Sequence, residues 1–146
     1  MSLQLKRVYD EPAPGDGRRV LVDRVWPRGL MKEMAHIDEW LPDLGPSTVL
    51  RKWFGHDPAL WSQFRERYRA ELAAASQRQR LAHLRNLASR EAVTILFGAK
   101  DREHNQAVVI AELLQTSERD VKTADERQDA SAINPQRRPV AYDRRS

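Results

Sequence analysis

Apolar positions recur along this chain with two different spacings, and the switch between them marks its elements. Leu3, Leu5, Arg7 and Tyr9 alternate with Gln4, Lys6 and Val8, which predicts a half-exposed strand over Leu3–Tyr9. Glu11 to Gly17 contains two prolines and two glycines, the composition of a turn. Arg19–Val25 reads as a second strand, and its unbroken Val20-Leu21-Val22 run predicts burial on both faces. Trp26 to about Gly45 carries no sustained period and is read as a loop region, with a short helix around His36–Leu41.

A spacing of three and four then takes over. Ser47 has the chemistry of an N-cap, and Val49, Leu50, Trp53 and Phe54 form one apolar face that stops at Gly55. Asp57-Pro58 restarts a helix with a capping acid and a proline at its first position. Trp61, Phe64, Tyr68 and Leu72 continue it as an amphipathic stripe. Ser76 is a candidate cap for a further helix that turns Leu81, Leu84, Leu87 and Ala88 inward. Ala92–Gly98 is the most strand-like segment, and a last helix from about His104 carries Ala107, Val108, Ile110, Ala111, Leu113 and Leu114. Strands separated by this much helix are most simply parallel. The fold class predicted is α/β: a small, mostly parallel sheet of about three or four strands flanked by helices.

Beyond Gln115 the pattern fades. Ser117–Ser146 mixes charges of both signs around four larger apolar residues, Val121, Ile133, Val140 and Tyr142. Residues 1–116 are therefore read as one α/β domain, and 117–146 as a disordered charged tail or partner-dependent arm. A length of 146 residues and an apolar fraction of 40% support a single core. No apolar run is long enough for a membrane span, and the first residues lack the apolar core of a secretory signal. The absence of cysteine removes disulfides, thiolate catalysis and cysteine zinc sites, and with the missing signal it points to a cytoplasmic location.

Candidate chemistry gathers where strands end. The second strand runs into Asp23-Arg24-Val25-Trp26-Pro27-Arg28-Gly29, and the third into Gly98, Lys100 and Asp101, followed by His104 and Asn105. Ligands of open α/β sheets bind just past the carboxyl ends of strands. If the two strands are parallel neighbours, their tips share one rim. Arg24, Arg28 and Lys100 would hold an anion there, Asp23 would orient it or take a proton, and Trp26 would stack. Asp101 and Asn105 join this ligand-binding set from the last helix's approach. The bland alternative is that these charges pair with one another merely to close the strand ends. Arg51-Lys52-Trp53-Phe54-Gly55-His56-Asp57-Pro58 is a second candidate, in which His56 is either a proton-transfer group or the filler of a helix corner, and Arg51 and Lys52, one turn earlier, are expected to be able to reach the same rim.

Walker, dinucleotide-binding, nucleophile-elbow and paired-histidine zinc motifs are missing, and His36, His56, His83 and His104 are scattered, so no metal and no cofactor are expected. The function expected is binding of an anionic small molecule, phosphorylated or nucleotide-like, at this rim. Whether catalysis accompanies binding stays open. A net charge of +4 and a pI near 9.8 keep one alternative open, a non-enzymatic nucleic-acid-binding or regulatory module, and a plainer one is a protein-interaction domain whose rim merely closes the fold.

Three blocks together resemble the YeaO-like family of uncharacterised bacterial proteins. They are Arg7-Val8-Tyr9-Asp10 with Leu21–Gly29 and Lys32, then Leu50–Pro58 with Trp61, Phe64 and Tyr68, then Val93–Phe97 with Ala99-Lys100-Asp101, Asn105 and Ala107. The resemblance spans Leu3 to about Leu114. It implies a small bacterial cytoplasmic α/β domain in which the Asp-Arg-x-Trp-Pro-Arg-Gly block and the His-Asp-Pro corner are hallmarks, and it lends no established catalytic residue. Phe97 departs from it, standing where tyrosine is more usual.

Overall fold

The structure is a computed structural model, and it describes residues 1–116; the tail expected over 117–146 lies outside the described residues. Nine regular elements follow in order: β1 Leu3–Arg7, β2 Arg18–Leu21, α1 Lys32–Ala35, β3 Glu39–Trp40, α2 Thr48–Phe54, α3 Trp61–Leu72, α4 Ala75–Arg90, β4 Val93–Phe97 and α5 Gln106–Gln115. The four strands form one sheet in the order β1-β4-β2-β3, and all three pairings are parallel. β4 is central because its residues are β-branched, leucine or phenylalanine, and all five are buried. Val20 pairs with Ile95 and Leu21 with Leu96, so the carboxyl ends of β2 and β4 lie side by side.

The pleat assigns alternate residues to two unlike faces. Val20, Val22, Val93, Ile95 and Phe97 join the main core with Leu50, Phe54, Phe64, Tyr68, Leu84, Leu87 and Ile110 from the helices. Val8, Leu21 and Leu96 face the other way, beneath Trp26, Leu30 and Ile37. That second face is covered largely by the irregular segments before β2 and after it.

A buried ionic network stabilises this cover. Asp16 accepts hydrogen bonds from Lys6 Nζ at 3.0 Å, Gln4 Nε2 at 3.1 Å and the Ala13 N–H at 3.0 Å, and it pairs with Arg19. Asp16 and Arg19 are only 2% and 4% exposed. The Arg19 guanidinium also donates to the Ala35 and His36 carbonyls, each at 3.0 Å. One arginine thus ties the end of α1 to the sheet and to the turn before β2.

Local signals explain the helix boundaries. The Ser47 hydroxyl accepts from the Leu50 N–H at 3.1 Å, as its N-cap position requires. Asp57 caps a 3₁₀ turn at Pro58–Leu60 that leads into α3, accepting from Ala59 N–H at 3.0 Å. α4 departs from the expected cap: it begins at Ala75, behind Ala74, without a side-chain bond from Ser76. The region from Trp26 to Gly45 differs more. The helix expected around His36–Leu41 is absent; a single turn lies earlier, at Lys32–Ala35, and His36 at φ 50° ends it. Glu39–Trp40 instead extends the sheet beside β2. Backbone bonds to the edge of β2 decide this, with Leu41 N–H donating to Leu21 O at 2.9 Å.

Candidate functional site

A cleft of about 450 Å³ opens at the carboxyl ends of β2 and β4, lined by segments 23–28, 98–99 and 104–106 together with Tyr9, Pro46, Arg51, Phe54, His56 and Phe64. The adjoining tips of two parallel strands create it, because the chain leaves the sheet in opposite directions beyond each. Its apolar wall includes Phe54 and Phe64, stacked with centroids 4.3 Å apart, which are the aromatic end of the main core.

Asp23 is the acid of the cleft. It lies just past β2 and accepts a hydrogen bond from the Gly98 N–H at 3.0 Å and another from the Gln106 side-chain amide. Burial pushes its pKa up, and the Gly98 N–H, the Arg51 charge and Gln106 offset this only in part, leaving it at about 6. Glycine at 98 leaves room for this bond: a Cβ there would stand 2.6 Å from Asp23 Oδ2 and displace the carboxylate. Arg7 pins the same loop, donating to Ala99 O at 2.9 Å and Gly98 O at 3.3 Å. Asp23 is thus fixed by β4, by the first residue of α5 and, indirectly, by β1.

The arginines divide into two kinds. Arg24 donates to Pro46 O at 2.8 Å and Gly45 O at 2.9 Å, so much of its hydrogen-bonding capacity closes the loop before α2. Arg28 and Arg51 line the cleft, are exposed, and make no side-chain hydrogen bond or ion pair with the described residues. Three guanidiniums therefore line the cleft with one carboxylate; Arg51 acts on Asp23 through its charge, and neither Arg51 nor Arg28 makes a hydrogen bond there. Trp26 forms part of the wall; its indole N–H donates to Leu30 O at 2.9 Å, and it meets Trp40 edge to face at 5.4 Å. The Trp40 N–H donates to the Asp23 backbone carbonyl at 2.7 Å.

Two histidines line the cleft by different means. His56 follows Gly55, and both have positive φ, 59° and 54°. Gly55 adopts this at no steric cost, whereas a left-handed His56 costs about 1 kcal/mol or more. That backbone turn sets its ring near Phe54, with centroids 6.3 Å apart. His104 Nδ1 lies 2.8 Å from Asp101 Oδ2, and its ring meets Trp61 edge to face at 5.2 Å. Hydrogen bonds from the His104 side chain and from the Glu103 and His104 N–H groups hold the Asp101 carboxyl below its usual range.

The predicted residues thus separate by position. Asp23, Arg24, Trp26, Arg28, Arg51, His56 and Asn105 line the cleft. Lys100 is exposed and not among its lining residues, and neither is Asp101, which touches the lining residues His104 and Asn105. Asn105, 2% exposed, caps α5 by accepting from Val108 N–H at 3.2 Å and donates to Asp101 O at 2.9 Å. Sequence reasoning gave no part to Gln106 or Tyr9. Gln106 is the residue directly after a helix cap, a position that faces the strand tips, and this is the signal that could have found it. Tyr9 donates to the Arg28 carbonyl at 2.6 Å and shows no such signal. Among the described residues there is no group of three or more metal-ligating side chains, and no helix is long and apolar enough to cross a membrane.

Residues 2–136 match the family model DUF488-N3i, described as the inactive DUF488-N3 subclade. The chain is 42% identical over 116 residues to the uncharacterized protein YeaO of Escherichia coli K12, an alignment spanning 80% of this chain and 99% of YeaO. It is 38% identical over 112 residues to the uncharacterized proteins Mb3100c of Mycobacterium bovis and Rv3073c of Mycobacterium tuberculosis, spanning 77% of this chain and 92% of each. No solved structure matches it.

Proposed function

Because this chain belongs to the DUF488-N3i family and is a YeaO-like protein, we propose that its cleft binds an anionic small molecule without transforming it. The observation that carries this is that two guanidiniums of the lining, Arg28 and Arg51, make no hydrogen bond or ion pair with the described residues, beside an aromatic wall and a half-buried acid. Guanidinium groups that close no internal contact are free to take phosphate or carboxylate in two-point fashion. The cleft volume of about 450 Å³ falls within the usual range for small-molecule sites. The family's description as inactive favours binding over turnover. Asp23 and His56, considered from the sequence for proton transfer, then serve as recognition groups.

The two kinds of arginine make this testable by calorimetry with inorganic phosphate and simple phosphate monoesters. Arg51→Ala is expected to weaken anion binding by about tenfold or more, roughly 1.4 kcal/mol, while leaving the melting temperature nearly unchanged. Arg24→Ala is expected to lower the melting temperature, because the Gly45 and Pro46 carbonyls lose their donor. Unchanged anion affinity in both Arg28→Ala and Arg51→Ala would reject the assignment.

A further inference from the structure

An anion alone does not account for the cleft. Asp23 presents a carboxylate to it, and any purely anionic ligand held by Arg28 and Arg51 meets that charge as repulsion. His104 adds a second acceptor. Its Nδ1 faces the Asp101 carboxylate at 2.8 Å, a contact that favours the tautomer with the proton on Nδ1, in which Nε2 carries the lone pair. Nε2 has no hydrogen-bond partner among the described residues. Asp23 has spare capacity too: each oxygen accepts one bond, from Gly98 N–H or from Gln106, and each retains a second lone pair. The cleft therefore combines free donors with free acceptors.

Resting on the anion-binding reading above, we propose that the ligand is a phosphorylated polyol, of the sugar phosphate or nucleoside monophosphate kind. Its phosphate lies on Arg28 and Arg51, and its hydroxyls donate to the Asp23 carboxylate and to His104 Nε2. A carboxylate beyond a strand tip, receiving ribose hydroxyls while the phosphate is held elsewhere, is a general solution of α/β sheets. Phosphate and pentose together fit a cleft of about 450 Å³. Asp101 acts as a positioning residue, since it reaches the ligand only by fixing the His104 tautomer and ring.

Calorimetry with two probes of like charge separates this from anion binding alone. Methyl phosphate offers the phosphate without hydroxyls, and ribose 5-phosphate offers both. Wild-type protein is expected to bind ribose 5-phosphate at least about tenfold more tightly than methyl phosphate. His104→Ala should remove most of that advantage while leaving methyl phosphate affinity within about twofold. Asp101→Asn, which retains a carbonyl for the Glu103 and His104 N–H groups, should remove part of it and serves where His104→Ala is poorly folded. Equal affinity for the two probes would overturn the hydroxyl assignment and leave the arginine assignment standing. An advantage that survives both substitutions would overturn the role of His104. If neither probe binds, both the anion-binding reading and this one fall.

Discussion

Asp16→Ala is expected to cost about 3–5 kcal/mol of folding stability at neutral pH, measured by urea denaturation. The loss comes from what remains behind. Arg19, 4% exposed, keeps its charge and its bonds to the Ala35 and His36 carbonyls but loses its counter-ion, and Lys6 and Gln4 lose an acceptor. Burial alone would raise the pKa of Asp16; hydrogen bonds from Lys6, the Ala13 N–H and Arg19 outweigh it and hold the group below 3.8. A depressed folded value means the contribution is complete above the ordinary carboxylate range. It is lost as pH falls through the lowered value. The difference between wild type and Asp16→Ala should therefore be flat at neutral pH and shrink in acid. A loss below about 1 kcal/mol would show that water reaches these charges.

Asp23→Asn is expected to act in the opposite direction, raising stability by about 2–3 kcal/mol above pH 7 and by almost nothing near pH 4. Here the folded pKa is raised from 3.8 to about 6. The native state binds a proton that the unfolded chain has already released, so stability falls as pH rises from about 4 to about 6 and stays lower beyond. Asparagine removes that titration. Its carbonyl still accepts from the Gly98 N–H, and the Gln106 amide rotates to offer its own carbonyl. Thermal melts across this pH range test it, with a gain on the order of 6 °C at the alkaline end. An equal or negative change at every pH would mean that the carboxylate is stabilising where it sits. Retaining a destabilising group is characteristic of positions selected for binding rather than for the fold.

The two acids contrast in how far the sequence revealed them. Asp23 stands in a polar cluster directly after an apolar strand, and parallel pairing of β2 with β4 follows from the helices between them, so its neighbourhood was legible. Asp16 reads only as part of a Pro/Gly turn; its burial depends on loops folding back over Lys6 and Arg19, which no local period encodes. Ser47, Asp57, and the Phe64, Tyr68 and Leu72 stripe were legible because capping and amphipathicity are local. β3 was not, because a strand of two residues carries no period and exists only through its bonds to β2.

Within the cleft the same boundary applies to side-chain direction. Sequence placed Arg24, Arg28 and Lys100 on one rim as equals. The structure engages Arg24 with two carbonyls, leaves Arg28 free and turns Lys100 out of the lining. That sorting is set by loop paths, which depend on Arg7 gripping residues 98–99 and on Asp101 and Asn105 shaping the approach to α5. Gln106 escaped notice because its contact with Asp23 joins residues far apart in sequence.

The most direct test of the cleft as a binding site is a two-dimensional amide NMR titration of the full chain with methyl phosphate. Saturable shifts are expected at the amides of Arg28, His56, Gly98 and Gln106, at the amide of residue 51 and at the Trp26 indole N–H, all needing about tenfold or more methyl phosphate to saturate in Arg51→Ala. Saturable shifts confined to the outer face of α4, or no saturable shift at any of these positions, would contradict it.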